Sequence, residues 1–200
     1  MLGLLLALLA AAPAERWSLY GGETLAAGQD VFDAEVGWPS TSLGWTHGLT
    51  DTTDAGVRFD VLYAFESTTD THFGLGIRVP LRGIAVRTGR VSLLVRADPG
   101  LKVYPGNGTP WGLGLPLTGE VGIAVSPEVR LALGLHVPIT AFFAPSAQFV
   151  IGTLFGFGLD YFLDPRLLVG LNAHVGPIFS TDWNGSRLGL VTQIAIGYRM

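Results

Sequence analysis

The last fifteen residues, "SRLGLVTQIAIGYRM" (residues 186–200), show the pattern that decides the fold. The even positions from Leu188 to Met200 are large or apolar, with Thr192 as the polar member, and small residues such as Gly189 and Gly197 stand between them. Successive side chains of a strand point to opposite faces. The period-two alternation therefore predicts a strand with one apolar face and one face of mostly small residues.

The same alternation recurs along most of the chain. It is present in residues 57–66, 73–81, 111–125, 130–139, 148–162 and 167–176. Turn-forming sequences separate these stretches, among them Asp164-Pro165-Arg166, Asn107-Gly108 and Asn184-Gly185. We count about ten strands, with eight as the alternative, and place the first two near residues 30–38 and 42–49. No helical period competes with them.

The composition is unlike that of a soluble domain. Charged residues make up 14% of the chain and 28 of its 200 residues are glycine, against about 25% and about 7% in ordinary proteins. The net charge of -4 and the absence of a basic run exclude a nucleic-acid partner. With no cysteine, the chain has neither disulfides nor a thiolate metal site.

The two faces of the strands indicate which solvent each one meets. A soluble barrel covers its outer face with Lys, Glu and Thr, but here the second face is mostly Gly and Ala with scattered charges. We therefore expect the large residues to face lipid, where the backbone is satisfied by a closed barrel. The predicted fold is an all-β, closed, antiparallel, up-and-down transmembrane β-barrel. Aromatic residues predicted to lie at its membrane interfaces are Trp38, Phe65, Phe73, Tyr161 and Tyr198.

The N-terminal residues are typical of an export signal. An apolar run from Leu2 to Ala12 precedes Ala12-Pro13-Ala14, an A-x-A cleavage pattern. We predict a signal peptide in residues 1–14, a periplasmic N-terminal segment in residues 15–29 and an outer-membrane barrel in residues 30–200. The sequence leaves open whether residues 15–29 form a tail or enter the barrel as a plug.

With its signal sequence, alternating strands, short turns and terminal strand "LVTQIAIGYRM", the chain resembles the small outer-membrane β-barrel proteins of Gram-negative bacteria, of the broad OmpA, OmpX and OmpW type. The resemblance covers roughly residues 30–200. It implies residence in the outer membrane after passage through the periplasm. The partners it implies are outer-membrane lipids, lipopolysaccharide and the barrel-assembly machinery, and we expect a monomer. It transfers no activity, because this architecture carries several functions.

Residues typical of enzyme chemistry are few. The histidines His47, His72, His136 and His174 have no ligand-like spacing, although His136 and His174 share the inward face. There is no G-x-S-x-G motif and no H-x-S pair on one strand face. We therefore predict no catalytic, metal or cofactor site and no cofactor, and rank a lipid hydrolase or acyltransferase third among the functions.

Charged residues on the glycine face are the most specific polar feature. Their signs are mixed, so they can pair inside the barrel. The predicted interior charge network consists of Asp33, Glu35, Arg58, Asp60, Glu66, Arg78, Arg82, Arg96, Asp98, Glu120, Arg130, Asp160 and Arg199. We expect these residues to fill the lumen of a structural or envelope-integrity protein. The alternative is a narrow channel for small solutes.

Overall fold

A computed structural model describes residues 17–106 and 109–200, which contain fifteen β-strands. The predicted signal peptide and the Asn107-Gly108 turn lie outside the described residues. The strands are β1 (Asp30–Trp38), β2 (Ser40–Thr50), β3 (Thr53–Ala64), β4 (Thr71–Arg78), β5 (Leu81–Thr88), β6 (Val91–Ala97), β7 (Gly100–Val103), β8 (Trp111–Gly114), β9 (Leu117–Ala124), β10 (Val129–Val137), β11 (Ile139–Ala144), β12 (Gln148–Gly152), β13 (Leu154–Asp164), β14 (Leu167–Ser180) and β15 (Ser186–Arg199).

Five pairs of consecutive strands are halves of one longer strand. One or two residues separate the halves of β4/β5, β6/β7, β8/β9, β10/β11 and β12/β13. Proline interrupts four of these strands, at Pro80, Pro99, Pro116 and Pro138, because its nitrogen has no hydrogen to donate to the ladder. Hydrogen bonds such as Val79 N to Pro99 O (2.8 Å) carry the pairing across the breaks. Counted this way, the described residues form ten long strands.

The ten long strands close on themselves. Each pairs antiparallel with its sequence neighbours, and β15 pairs with β1 from Val31↔Arg199 to Trp38↔Thr192. The sheet thus has no free edge, which confirms the predicted closed antiparallel barrel. Residues 51–52, 89–90, 125–128 and 165–166 form the short connections at one end, here called the turn end. The opposite, loop end carries the longer connections 65–70, 104–110 and 181–185, and also two short ones, at residue 39 and at residues 145–147.

The outer surface is apolar on every one of the fifteen strands. On β15, Leu188, Ile194, Ile196 and Tyr198 are about half exposed, while Ala195 and the glycines between them are buried. A continuous apolar exterior of this kind is stable only in hydrocarbon. The barrel is therefore a transmembrane one, with the faces oriented as the sequence predicts. No helix among the described residues has the length and hydropathy to cross a membrane.

For one of the predicted interfacial aromatic residues, Phe65, the prediction is wrong. Phe73, Tyr161 and Tyr198 are exposed on the barrel exterior, as expected. Phe65 instead points into the mouth of the barrel and stacks on Phe142, with 5.1 Å between ring centroids. The alternation fails there because Phe65 lies beyond the end of β3, in a loop that folds inward.

Candidate functional site

An N-terminal plug, residues 17–29, lies inside the turn end of the barrel. Its backbone is held by Asp160 on β13, whose carboxylate accepts hydrogen bonds from the amides of Leu19 (2.9 Å), Tyr20 (3.2 Å) and Gly21 (2.9 Å). Farther along, the amide of Leu25 donates to Asp54 Oδ2 (2.8 Å). The sequence left open whether this segment is a periplasmic tail or a plug, and in the structure it is a plug.

Apolar contacts anchor the entrance of the plug. The Trp17 side chain is fully buried and meets Phe162 edge-on, with 5.5 Å between centroids. Its indole nitrogen donates to Pro165 O (3.2 Å), and the Arg199 guanidinium lies 5.8 Å from the ring centroid. The first described residue of the plug is thereby fixed against the β13–β14 turn.

Charged side chains of the wall hold the plug from several strands. Arg87 Nη2 pairs with Glu23 Oε2 (2.7 Å), and Arg130 Nη1 lies 3.8 Å from Glu23 Oε1. Arg82 donates to both oxygens of Asp54 (2.7 and 2.8 Å) and to Ser18 O (2.8 Å). These contacts tie the plug to β3, β5 and β10 at once.

Inward glycines make room for the plug. A Cβ atom at Gly122 would lie 2.5 Å from Gly21 O, and one at Gly170 would lie 2.7 Å from the Tyr20 ring. Since real Cβ atoms do not approach so closely, larger residues at these positions would displace the plug. The glycine-rich inner face is therefore the surface on which the plug packs.

The wall above the plug carries a line of ion pairs. Arg58 on β3 donates to Asp33 Oδ2 (2.7 Å) and also pairs with Glu35. Arg78 on β4 makes a bidentate pair with Asp60, with both distances 2.6 Å. Isolated charges would be costly in a barrel interior, whereas paired ones are tolerated and fix geometry.

The ion-pair line continues through the segment that joins β6 and β7. Arg96 Nε donates to Asp98 Oδ1 (2.7 Å), and Asp98 Oδ2 lies 3.8 Å from Arg78 Nη1. Asp98 therefore links the Arg96 pair to the Arg78 pair.

The loop end is closed by a second group of side chains, here called the loop-end seal: Phe65, Glu66, Tyr104 and Phe142. The Glu66 carboxylate accepts hydrogen bonds from Lys102 Nζ (2.9 Å to each oxygen), Thr140 Oγ1 (2.5 Å) and Tyr104 Oη (3.2 Å). The three aromatic rings pack on one another at 5.1–6.0 Å between centroids.

Backbone contacts fasten the loop that carries this seal. Glu66 and Ser67 adopt left-handed backbone angles, with φ of 51° and 62°, which non-glycine residues seldom adopt. Ser67 O accepts from the Leu190 amide (2.8 Å), and Thr68 O accepts from the Trp38 indole (3.1 Å). The loop after β3 is therefore bent over the barrel mouth and bonded to β1 and β15, two and three strands away.

Between the plug and the seal lies a central cavity of about 110 Å³. Most of its lining residues are polar, and they come from nearly all of the ten long strands. The polar lining residues are Tyr20, Glu35, Ser40, Arg58, Asp60, Ser67, Arg78, Arg96, Asp98, Lys102, Thr118, Glu120, His136, Asn172, His174 and Gln193. Burial, and next the nearby Glu35 carboxylate, raise the pKa of the Tyr20 phenol well above its usual range.

Two histidines meet at this cavity across an intervening strand. His136 on β10 and His174 on β14 have ring centroids 5.9 Å apart. On the intervening strand β13, His136 is paired with Leu154 and His174 with Gly156. His136 Nδ1 is hydrogen-bonded to Thr118 Oγ1 (2.9 Å), whereas His174 Nε2 is buried without a partner. No group of three potential metal-binding side chains is found among the described residues.

All thirteen predicted network residues lie on the inner side of the barrel. They form no single network. Asp160 and Arg130 contact the plug, Arg199 lies at the turn end beside Trp17, Glu66 belongs to the loop-end seal, and the others line the wall between. Arg82 pairs with Asp54, which is not one of the thirteen predicted residues.

Four further interior charges of the described residues were not predicted from the sequence: Glu23, Asp54, Arg87 and Lys102. Asp54 has the same parity as Arg58 and Asp60, but it ends the sequence Asp51-Thr52-Thr53-Asp54, which is typical of a turn. Alternation from the inward-facing Arg82 would place Arg87 on the outer face, and a bulge between Ile84 and Val86 turns it inward. Glu23 belongs to the plug, for which no strand pattern exists.

No family model matches the chain, and no curated protein matches it. Among solved structures, Ail, the attachment invasion locus protein of Yersinia pestis, matches with 9% sequence identity and a TM-score of 0.26. The match covers 87% of this chain and 99% of Ail. The fold assignment therefore rests on the strand pairing and the two faces described above.

Proposed function

We propose that the chain is an outer-membrane protein with a sealed lumen and a structural, envelope-integrity role. The observation that carries this proposal is that both ends of the barrel are filled, by the plug at the turn end and by the Glu66-centred seal at the loop end. Small barrels are filled by side chains, and wide aqueous lumens need about sixteen strands. Ten strands are consistent with a filled interior.

The turn end is proposed to face the periplasm and the loop end the cell exterior. Outer-membrane barrels have short periplasmic turns and longer external loops, and three of the five loop-end connections of this chain are longer than any turn-end connection. The mature N-terminus would then enter the lumen from the periplasm, after signal cleavage. Lipids and lipopolysaccharide around the apolar band and the barrel-assembly machinery during insertion are the proposed partners of a monomer.

A narrow channel is the second candidate, and the central cavity favours it. Most residues lining the cavity are polar, and the loop-end seal, with the buried apolar side chains that pack against it, lies between the cavity and the outer mouth. A lipid-modifying enzyme is third, because the hydroxyl–imidazole pair Thr118–His136 lies inside the barrel, away from the lipid-facing surface.

Conductance recording in planar bilayers tests the proposal. Wild-type protein should give no stable conductance. Asp160→Ala loosens the plug and Glu66→Ala loosens the seal, so each single variant should stay closed and the double variant should conduct. Asp182→Ala, in an exposed loop, serves as the control. Stable ohmic conductance of the wild type would reject the sealed barrel in favour of the narrow channel.

A further inference from the structure

Two glycines hollow out one part of the lipid-facing surface. At every other glycine of the described strands, an added Cβ would lie 3.4 Å or less from another atom. A Cβ at Gly119 would meet nothing within 4 Å, and one at Gly83 would meet nothing nearer than 3.9 Å. Both glycines are paired with Val95, one from each side. The outer face therefore lacks side chains at two neighbouring positions of one row.

The hollow over these glycines has a volume of about 580 Å³. The outward side chains around it are all apolar, namely Leu81, Val95, Ala97, Leu117, Leu135 and Val137. A second hollow of about 290 Å³ follows along β9 and β10, and it is lined by Val121, Ile123, Leu131, Leu133 and Phe157. The pairs Gly119↔Leu135 and Val121↔Leu133 are successive outward rows, so the two hollows form one outer groove, which runs from Leu117 to Ile123.

The length of the outer groove matches one leaflet of a membrane. The stretch from Leu117 to Ile123 is about 20 Å long at the rise of a β-strand. At a strand tilt of about 40°, it covers about 15 Å of depth, which is half of a hydrocarbon core of about 30 Å. Leu117 lies near the middle of the long β8/β9 strand and Ile123 lies next to its turn end. The groove therefore spans the leaflet at the turn end.

A cation lies where the outer groove reaches the turn end. Arg90 Nη1 donates to Val125 O (3.3 Å), and Arg90 O accepts from the Ala124 amide (2.9 Å). No carboxylate of the described residues forms an ion pair with Arg90. Glu128, in the neighbouring turn, accepts a hydrogen bond from the Ser126 hydroxyl (2.9 Å). A guanidinium in this position is suited to bind a phosphate group.

We propose that the outer groove binds a phospholipid of the turn-end leaflet, with one acyl chain in the groove and the lipid phosphate on Arg90. A second barrel is a poorer occupant, because its convex wall would meet the exposed Leu133 and Phe155 side chains before it reached Gly119. The site deepens the lipid contacts proposed above. It is independent of whether the barrel conducts.

Photo-crosslinking in vesicles tests where the acyl chain lies. The whole barrel is reconstituted in phosphatidylcholine vesicles with a trace of the same lipid that carries a diazirine in the middle of one acyl chain. Peptide mapping by mass spectrometry should find the crosslinks concentrated on β9 and β10. An even spread over all strands would overturn the proposal.

Native mass spectrometry after mild detergent extraction tests the phosphate contact. The barrel should retain one phosphatidylcholine, and a diacylglycerol with the same acyl chains should be retained about tenfold less, because it lacks the group that Arg90 binds. A barrel without lipid, equal retention of the two lipids, or a lipid-free dimer would each overturn the proposal. None of these results bears on the sealed lumen, which the conductance recording tests.

Two variants with matched controls separate the two ends of the lipid. Gly119→Phe fills the groove and should abolish the concentration of crosslinks, whereas Thr192→Phe, at an exposed position of β15, should not. Arg90→Gln should lower phosphatidylcholine retention about tenfold, and Arg166→Gln, in another turn of the same end, should leave it unchanged. An unaltered crosslink map in folded Gly119→Phe, or full retention in folded Arg90→Gln, would contradict the assigned site. The wild-type crosslink map does not depend on the folding of any variant.

Discussion

Arg78 and Asp60 form a bidentate ion pair across adjacent strands, with both N–O distances 2.6 Å and with Ser42 Oγ donating a third hydrogen bond of 2.6 Å to Asp60. Asp60 is 2% exposed. The pair fixes the spacing of β3 and β4 where they line the central cavity. The ion pair therefore links the two strands and also forms part of the cavity wall.

Removing one member of this pair should destabilise the barrel. Asp60→Ala leaves the Arg78 guanidinium with only Asp98, at 3.8 Å, and breaking a buried pair commonly costs about 3–5 kcal/mol. The free energy of unfolding in urea, measured in detergent or vesicles, should fall accordingly. Replacing both residues by apolar ones of similar volume should recover most of the loss. An unchanged free energy for Asp60→Ala would contradict the assigned role.

Strand pattern and face assignment were predictable because period two is a local property of the sequence. β15 illustrates this: Ile194 and Ile196 are exposed to lipid, and Gln193 and Ala195 are buried, as the alternation requires. The long strands also continue past Pro80, Pro116 and Pro138, as the uninterrupted alternation predicts. In each case the signal lies within a few neighbouring residues.

The interior arrangement was less predictable because it depends on contacts between distant residues. Parity placed Asp160 inside but gave no sign that its partners are the backbone amides of Leu19, Tyr20 and Gly21, about 140 residues away. Likewise, Glu66 was predicted to be interior, whereas its bonds to Lys102 and Thr140 depend on how the preceding loop folds. The alternation of residues along a strand predicts which face of the sheet a side chain occupies, but its hydrogen-bond partner is known only from the folded structure.

The loss of stability caused by an arginine on the outer face should depend on its depth in the membrane. Leu117 lies near the middle of the long β8/β9 strand and Ile123 lies next to its turn end, and both side chains are exposed. Leu117→Arg should cost about 2–4 kcal/mol and Ile123→Arg about 0–1 kcal/mol. Urea unfolding in lipid vesicles measures both, with Ser126→Arg in the turn as control. Equal, negligible costs would mean that this face does not meet hydrocarbon.

Two glycines of opposite orientation should respond differently to alanine. A Cβ at Gly156 would lie 2.5 Å from His174 Cγ, whereas a Cβ at Gly119 would meet no heavy atom within 4 Å. Gly156→Ala should therefore cost about 1–3 kcal/mol through overpacking, and Gly119→Ala should be neutral or slightly stabilising. A Cβ at Gly156 would also meet the Ala173 backbone oxygen. Thermal unfolding in detergent compares the two variants, and a similar shift for both would show that the position of Gly156 is not crowded.

Export should remove the residues before the plug. If the A-x-A pattern is cleaved, N-terminal sequencing of membrane-fraction protein should begin at Glu15, two residues before the buried Trp17. Trp17 itself lies at the turn end, where its indole nitrogen donates to Pro165 O. Recovery of inserted barrel that still begins with Met1 would rule out cleavage at this pattern.

The plug should become accessible when Asp160 is removed. The chain has no native cysteine, so Thr24→Cys provides a single thiol at a position 1% exposed in the barrel interior. Its labelling by a membrane-impermeant maleimide should be slow in the otherwise wild-type protein and about tenfold faster or more in Asp160→Ala, because labelling follows the population of the open plug. The control for this labelling experiment is Ala27→Cys, at an exposed position of the same segment. It should label rapidly with and without Asp160. Asp160 holds residues before Thr24 through three amide hydrogen bonds, and Asp54 holds the amide of Leu25 after it. Asp160→Ala should therefore free the N-terminal part of the plug without unfolding the barrel. Fast labelling of Thr24→Cys with Asp160 intact would show that residues 17–29 do not occupy the lumen in the membrane.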